Sequence, residues 1–387
     1  MPDVAFPVAS TRVAGEVLSL QDLTRATLAR QLLLQRSPMT APEAIAHLLG
    51  LQSQVPSPPY QGLWTRLTDF DLKTLTDLMT DRAVVRSTLM RYTLHLIGAA
   101  DYDWLRPTLQ PVMDRAQQSF FGRRTKGLDL GELVAFGREA LSGRELTLVE
   151  LRGLLGERWP ELDPIALGYS VQYLVPVVHV PPCGTWKKGG GVRMALAEDW
   201  FGAPVAGRPD RAELVRRYLA AFGPASVRDV QAWSGLPRLA DLLESMRPEL
   251  VVFSNEAGVE MFDLPDAPHP GADTPTPVRF LPAYDNLMVA YTDRSRVLTE
   301  EQRKVITSGA GGRTRTRPGQ QGAVAATLLV DGRVRATWKI ERVKRNATLV
   351  VEPFEPMTRQ EKAEAAAEAE QLLLFSEPDA QGAVEFV

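Results

Sequence analysis

The chain has 387 residues, with 44 Lys+Arg against 47 Asp+Glu and a formal net charge of -3, long enough for roughly two to four domains with substantial cores. With 44% apolar and 24% charged residues it lies in the globular range, which excludes global disorder, collagen-like repetition and coiled coil as the main architecture. One cysteine, Cys183, and four scattered histidines, His47, His95, His179 and His269, offer no intrachain disulfide and no metal-ligand spacing, so no metal is expected. The N-terminus shows no secretory pattern and no apolar run approaches the ~20 residues that span a bilayer, so a cytoplasmic protein with no membrane partner is expected.

The small net charge hides segregation along the chain. From Arg294 to Arg345 there are 13 basic residues against 4 acidic, and from Asn346 to Val387 only 2 basic against 9 acidic. A basic stretch followed by an acidic one calls for a local explanation, and the arginines of the first suit bidentate phosphate contacts as well as they suit a compositional bias of the genome.

In chain order, a helix is predicted near Leu20 to Gln35. A capping box follows at Thr40 to Glu43, where hydroxyl and carboxylate would satisfy each other's orphan amides ahead of Ile45, Leu48 and Leu49. Helices near 60–67 and 72–80 lead to a β-rich run at 84–97. The box recurs at Thr147 and Glu150, and again at Ser226 and Asp229. Around the third copy, helices near 211–222 and 239–246 are followed by a predicted hairpin at 251–264 that turns at Asn255 to Gly258. Three helices followed by a hairpin is the winged-helix order.

The pattern predicts an α+β protein of three tandem winged-helix motifs plus a C-terminal β-rich domain. The expected boundaries are 1–105, 106–204, 205–268 and 279–387. In the last unit, strand-like runs at 279–283, 323–330, 333–340 and 347–352, with a tight turn at Asp331-Gly332, precede an Ala/Glu-rich helix at 358–374 that is expected to close the chain.

Two segments carry chemistry. The run 306–321 holds Arg313, Arg315 and Arg317 among glycines, and alternation would put three guanidinium groups on one side of an extended loop, suited to following phosphates. A solvated loop tip is the other reading. Within GLQSQVPSPPYQGLW, Gln52 and Gln54 flank Ser53. In a helix, residues two apart diverge, whereas an extended chain sends both amides to one side. Pro56 disfavours a helix just before it, but spacing alone favours a structural helix C-terminus across 52–54. Asp285 and Asp293 read as structural hydrogen-bonding residues, whereas Tyr284 and Trp338 suit packing in a core and contact with a base equally well.

Several motifs taken together carry a resemblance over nearly the whole chain. These are GLQSQ at 50–54, LMRYTLHLI at 89–97, VPPCGTWKKGG at 180–190, FGPASVRDVQAWSGL at 222–236, LPAYDNLMVAYTDRSRVL at 281–298 and LLVDGRVRATWKI at 328–340. They resemble the winged-helix DNA glycosylases of the AlkZ and YcaQ-like type. The resemblance implies that Gln52 and Gln54 are the catalytic pair. Ser53 stands where the family commonly has an apolar residue, and Cys183 where an arginine is expected.

It implies, further, that these units are arranged as a concave DNA-binding cleft, in a monomeric enzyme without cofactors that acts on double-stranded DNA containing alkylated purines. Its reaction would be hydrolysis of the N-glycosidic bond of bulky N7-alkylguanine or N3-alkyladenine adducts or of interstrand crosslinks, in self-resistance to a DNA-alkylating natural product. Such bases are cationic leaving groups, so two neutral amides that orient water and stabilise charge are chemically adequate. A non-enzymatic winged-helix regulator and a drug-sequestering resistance protein remain the competing expectations.

Overall fold

The computed structural model describes residues 13–308 and 324–387, and Arg313, Arg315 and Arg317 lie outside the described residues. Among the described residues, no helix is long and apolar enough to cross a membrane. The architecture is mixed α+β, with three separate sheets among the described residues.

The first helix, Leu20–Arg30, begins at a Ser19–Asp22 capping box and stops five residues short of the expected Gln35. Leu32 adopts φ 57, and the Leu33 amide closes back on the Leu28 carbonyl at 2.9 Å. No glycine marks this stop, which is why the run of leucines reads as continuing helix. The reversal sends Leu32 into a core with Ile45, Leu48 and Leu63 and Leu33 into the large central core. Burying two leucines, at roughly 1.5–3 kcal/mol each, outweighs one left-handed residue.

The three capping boxes form as expected and start the helices Ala41–His47, Leu148–Arg158 and Val227–Ser234. Helices Pro58–Trp64 and Leu72–Thr80 precede the hairpin Val84–Thr88 and Leu94–Gly98. Helices Gln110–Phe121, Leu130–Leu141 and Pro164–Leu174 accompany the second box, and Val177–Val180 pairs with Arg193–Leu196 after them. Arg211–Phe222 and Ala240–Met246 flank the third box. Val251–Asn255 and Glu260–Asp263 then form the expected hairpin.

The first two hairpins do not stand apart. Arg86 and His179 are paired across them, giving one six-stranded sheet in the order Leu51–Gln52, Leu94–Gly98, Val84–Thr88, Val177–Val180, Arg193–Leu196, Leu146–Thr147. The third hairpin is extended in parallel by Val17–Leu18 from the other end of the described chain.

The last sheet runs Arg279–Leu281, Ala326–Val330, Arg333–Val343, Asn346–Pro353, Gln381–Phe386, with the tight turn at Asp331-Gly332 in place. The helix Arg359–Ser376 does not close the chain. It returns Gln381–Phe386 as a parallel edge strand, whose sequence QGAVEF is too short and too polar to stand out. The central core binds these units together: Trp233, Tyr218 and Phe222 pack ring on ring in the same cluster as Leu281 and Tyr291. The Tyr218 and Tyr291 hydroxyls donate to the Ala290 and Phe222 carbonyls at 2.9 and 2.8 Å.

Candidate active site

The helix Ala41–His47 ends well before the two glutamines. Leu49 and Gly50 take φ values of 52 and 90, and the Gly50 amide donates to the Ile45 carbonyl at 2.9 Å, a left-handed helix stop that glycine favours. A Cβ at Gly50 would also lie 2.8 Å from the Leu96 carbonyl oxygen. The turn therefore delivers Leu51–Gln52 as a strand paired with Leu94–Gly98. The helix C-terminus reading of 52–54 is thus corrected, because Gly50 ends the helix earlier than Pro56 suggests.

Both glutamine side chains reach the loop of the 84–98 hairpin. The Gln52 Oε1 accepts from Arg91 at 3.0 Å, and its backbone amide faces the Asn286 Oδ1 at 3.4 Å. Asn286 in turn donates to the Gly50 carbonyl at 2.6 Å. The half-buried Gln54 accepts from the Leu94 amide at 3.4 Å. Leu94 is free to take this partner because the Ser53 carbonyl is bonded by Arg86 Nε at 2.9 Å.

Arginine can only donate, so Arg91 fixes the Gln52 amide with its oxygen inward and its nitrogen outward. That nitrogen, Nε2, is buried without a hydrogen-bond partner. An unmet buried donor costs about 1–3 kcal/mol and calls for a functional explanation. Gln52 lines a narrow crevice with Pro58, Pro59, Tyr284 and Asn286.

Arg91 is itself held under strain. It and Tyr92 have φ 52, and Arg91 also donates to the Trp233 carbonyl at 2.6 Å. Burial brings its pKa down to about 10, and Arg294 adds to the effect, so it stays charged at neutral pH. With Arg115, Tyr92 and Phe120 it lines a second cavity. Arg91 gives only a weak signal in the sequence, an arginine set in the mostly apolar LMRYTLHLI run.

Ser53 and Cys183, the two departures from the resembled family's pattern, converge on Arg86. Ser53 is fully buried, and its Oγ accepts from Arg86 Nε at 3.2 Å. Burial lowers the Arg86 pKa to about 10, and Cys183 pulls it back towards the charged form. Arg86 also donates to His179 Nδ1 at 2.9 Å. A hydroxyl at 53 thus has a local reason that an apolar residue would not meet.

The other polar residues keep structural roles. Asp285 takes two bonds from Arg66, at 2.8 and 2.9 Å, and caps Leu287 at 3.0 Å. Asp293 is exposed and accepts from the Ser295 amide at 2.9 Å. Trp338 donates to the Leu281 carbonyl at 2.9 Å within the core. Tyr284 is half-buried and borders the crevice, with its phenol pKa raised by burial.

A sequence model of the family described as "DNA glycosylase AlkZ-like" matches residues 45–375. The chain belongs to that family and is a DNA glycosylase. It is 24% identical over 352 residues to an "Interstrand DNA cross-link repair glycosylase" of Streptomyces sahachiroi, covering 84% of this chain and 88% of that protein. Its fold matches the solved structure of the Streptomyces sahachiroi DNA glycosylase AlkZ with a TM-score of 0.76, at 22% identity, over 96% of this chain and 100% of that one.

Proposed function

We propose that this glycosylase hydrolyses the N-glycosidic bond of cationic N-alkylated purines in duplex DNA, bulky N7-alkylguanine or N3-alkyladenine adducts and interstrand crosslinks among them. Gln52 and Gln54 carry the chemistry. The observation behind this reading is the Gln52 amide, held by Arg91 with a buried and unmet Nε2 donor. Among the described residues, the partners of 52–54 are Asn286, Arg91, Arg86 and Leu94, and the nearby Asp285 is committed to Arg66.

Two amides with no carboxylate in reserve can orient water and stabilise developing charge, but they cannot protonate a neutral leaving group. A base that is already cationic needs no such proton. Crosslink repair, stated for the Streptomyces sahachiroi relative, calls for a site that acts without swallowing a fully flipped base in a tight pocket. We assign residues 1–105, 106–204 and 205–268 to three winged-helix units and 279–387 to a β-rich unit. Together they border a concave cleft, with Arg313, Arg315 and Arg317 following phosphates. The enzyme works as a monomer, in self-resistance to a DNA-alkylating natural product.

The test uses two duplexes that differ in one nucleotide. One carries N7-methylguanine and the other uracil, and the products are free base and an abasic site. Release of N7-methylguanine without uracil supports the reading. Release of uracil at a comparable rate would mean that an acid able to protonate a neutral leaving base acts, and would overturn the amide mechanism.

A further inference from the structure

Gln52 and His95 face each other across the antiparallel strands Leu51–Gln52 and Leu94–Gly98. The Ser53 amide donates to the Leu94 carbonyl at 2.7 Å, which makes 53 and 94 a hydrogen-bonded pair. The neighbouring pair, 52 and 95, is therefore of the closer kind, with side chains rising on one face and Cβ atoms roughly 4.5–5.5 Å apart.

Each of these two residues carries one unmet polar atom, Gln52 Nε2 and His95 Nε2. Gln52 is 3% exposed and His95 0%. Their polarities are opposite. Gln52 Nε2 is a donor, because Arg91 claims the oxygen. His95 Nδ1 lies 3.0 Å from the Thr93 carbonyl oxygen, and a carbonyl only accepts, so Nδ1 carries the hydrogen. Burial, reinforced by the charge of Arg91, holds the imidazole neutral by lowering its pKa to about 3. His95 Nε2 is then a bare acceptor.

A donor and an acceptor on directly opposed residues, each buried and neither bonded to the other, fit a small molecule that accepts from one and donates to the other. Water has that valence, and a buried water usually meets two to four polar partners.

We propose that Gln52 and His95 together hold the water molecule that attacks C1′ of the damaged nucleotide, with His95 Nε2 accepting its hydrogen. This rests on the assignment of Gln52 to the reaction. In the step, the C1′–N9 bond breaks and its electron pair neutralises the cationic base. The water oxygen supplies the pair that forms the new C1′–O bond. The proton it loses passes to His95 Nε2 and then to solvent. A weak base suffices, because oxygen newly bonded to C1′ is an oxonium and a strong acid. A weakly basic imidazole also gives the proton up readily before the next turnover.

Two experiments decide it. In wild-type protein labelled with ¹⁵N-histidine, the imidazole whose signals vanish in His95→Gln is expected to be neutral at pH 7, protonated at Nδ1 and bare at Nε2. An imidazolium, or a proton on Nε2, overturns the proposal without any disabling substitution.

In single-turnover excision of N7-methylguanine from duplex DNA, His95→Phe is expected to be ~10²-fold slower with unchanged duplex Kd. His95→Gln, which returns an acceptor oxygen near the Nε2 position, is expected to recover at least about tenfold of that loss. A wild-type rate in His95→Phe, or no recovery in His95→Gln, contradicts the role. A slow Gln52→Ala beside a fast His95→Phe fails the water pair alone, whereas a fast Gln52→Ala fails the underlying assignment.

Discussion

Arg91 joins Gln52 to the helix Val227–Ser234, donating through one terminal nitrogen to the Gln52 Oε1 at 3.0 Å and through the other to the Trp233 carbonyl at 2.6 Å. One guanidinium thus ties the proposed reacting amide at position 52 to the carbonyl at position 233, far along the chain, a separation that only folding brings together. Arg91→Met should free the Gln52 amide to rotate and lower single-turnover excision by roughly 10- to 100-fold, with duplex Kd little changed. Arg91→Lys should not restore the rate, since a single ammonium cannot meet both acceptors in the planar geometry of a guanidinium. Excision at the wild-type rate in Arg91→Met would show that the amide is held by something else.

Local signals in the sequence were legible wherever a residue acts on its own neighbours. The three capping boxes, the Asn255–Gly258 turn and the Asp331-Gly332 turn work within a few residues, and all are visible in the sequence. The joining of two hairpins through Arg86 and His179, and the parallel return of Gln381–Phe386, depend on pairing between distant segments and leave no periodic trace.

The same division runs through the site. Gln52 and Gln54 stand out by spacing, but the partners that orient them, Arg91, Asn286 and Arg86, come from two other parts of the chain. Buried arginines with backbone and amide partners cannot be told from surface ones by composition.

The Arg66–Asp285 pair, whose Asp285 borders the same crevice as Gln52, has side chains 1% and 3% exposed. Arg66 also donates to the Gln31 and Gly62 carbonyls at 3.0 Å each. Arg66→Met would leave Asp285 as an unpaired buried charge and should cost about 3–5 kcal/mol in unfolding free energy. Urea denaturation measures it, and a change below about 1 kcal/mol would mean that water reaches the carboxylate.

Buried neutral histidines make stability depend on pH in a definite direction. Burial and then Arg91 lower the His95 pKa to about 3, and burial and then Arg86 hold His179 well below its ordinary value. Both folded values lie below the unfolded ~6.5, so the unfolded chain takes up protons first as pH falls. Their contribution is present above about pH 6.5 and is lost progressively below it, at up to about 1.4 kcal/mol per pH unit for each histidine. Urea midpoints should therefore drop between pH 7 and 5, and the drop should be shallower in His95→Gln. Parallel slopes for the two proteins would contradict a neutral His95.

Arg313, Arg315 and Arg317 are proposed to meet phosphates. Their triple alanine variant should weaken binding to undamaged and damaged duplex alike and flatten the log–log dependence of affinity on salt by roughly 0.9 per lost contact. An unchanged slope would assign these arginines to solvent.

The central claim is that an amide held in place, and not an acid, performs the excision. The direct measurement is single-turnover release of N7-methylguanine from duplex DNA by wild type, Gln52→Ala and Gln54→Ala, with duplex Kd determined alongside. Losses of ~10²-fold or more in each variant at unchanged Kd are the expected result. Wild-type rates in both variants would contradict the account.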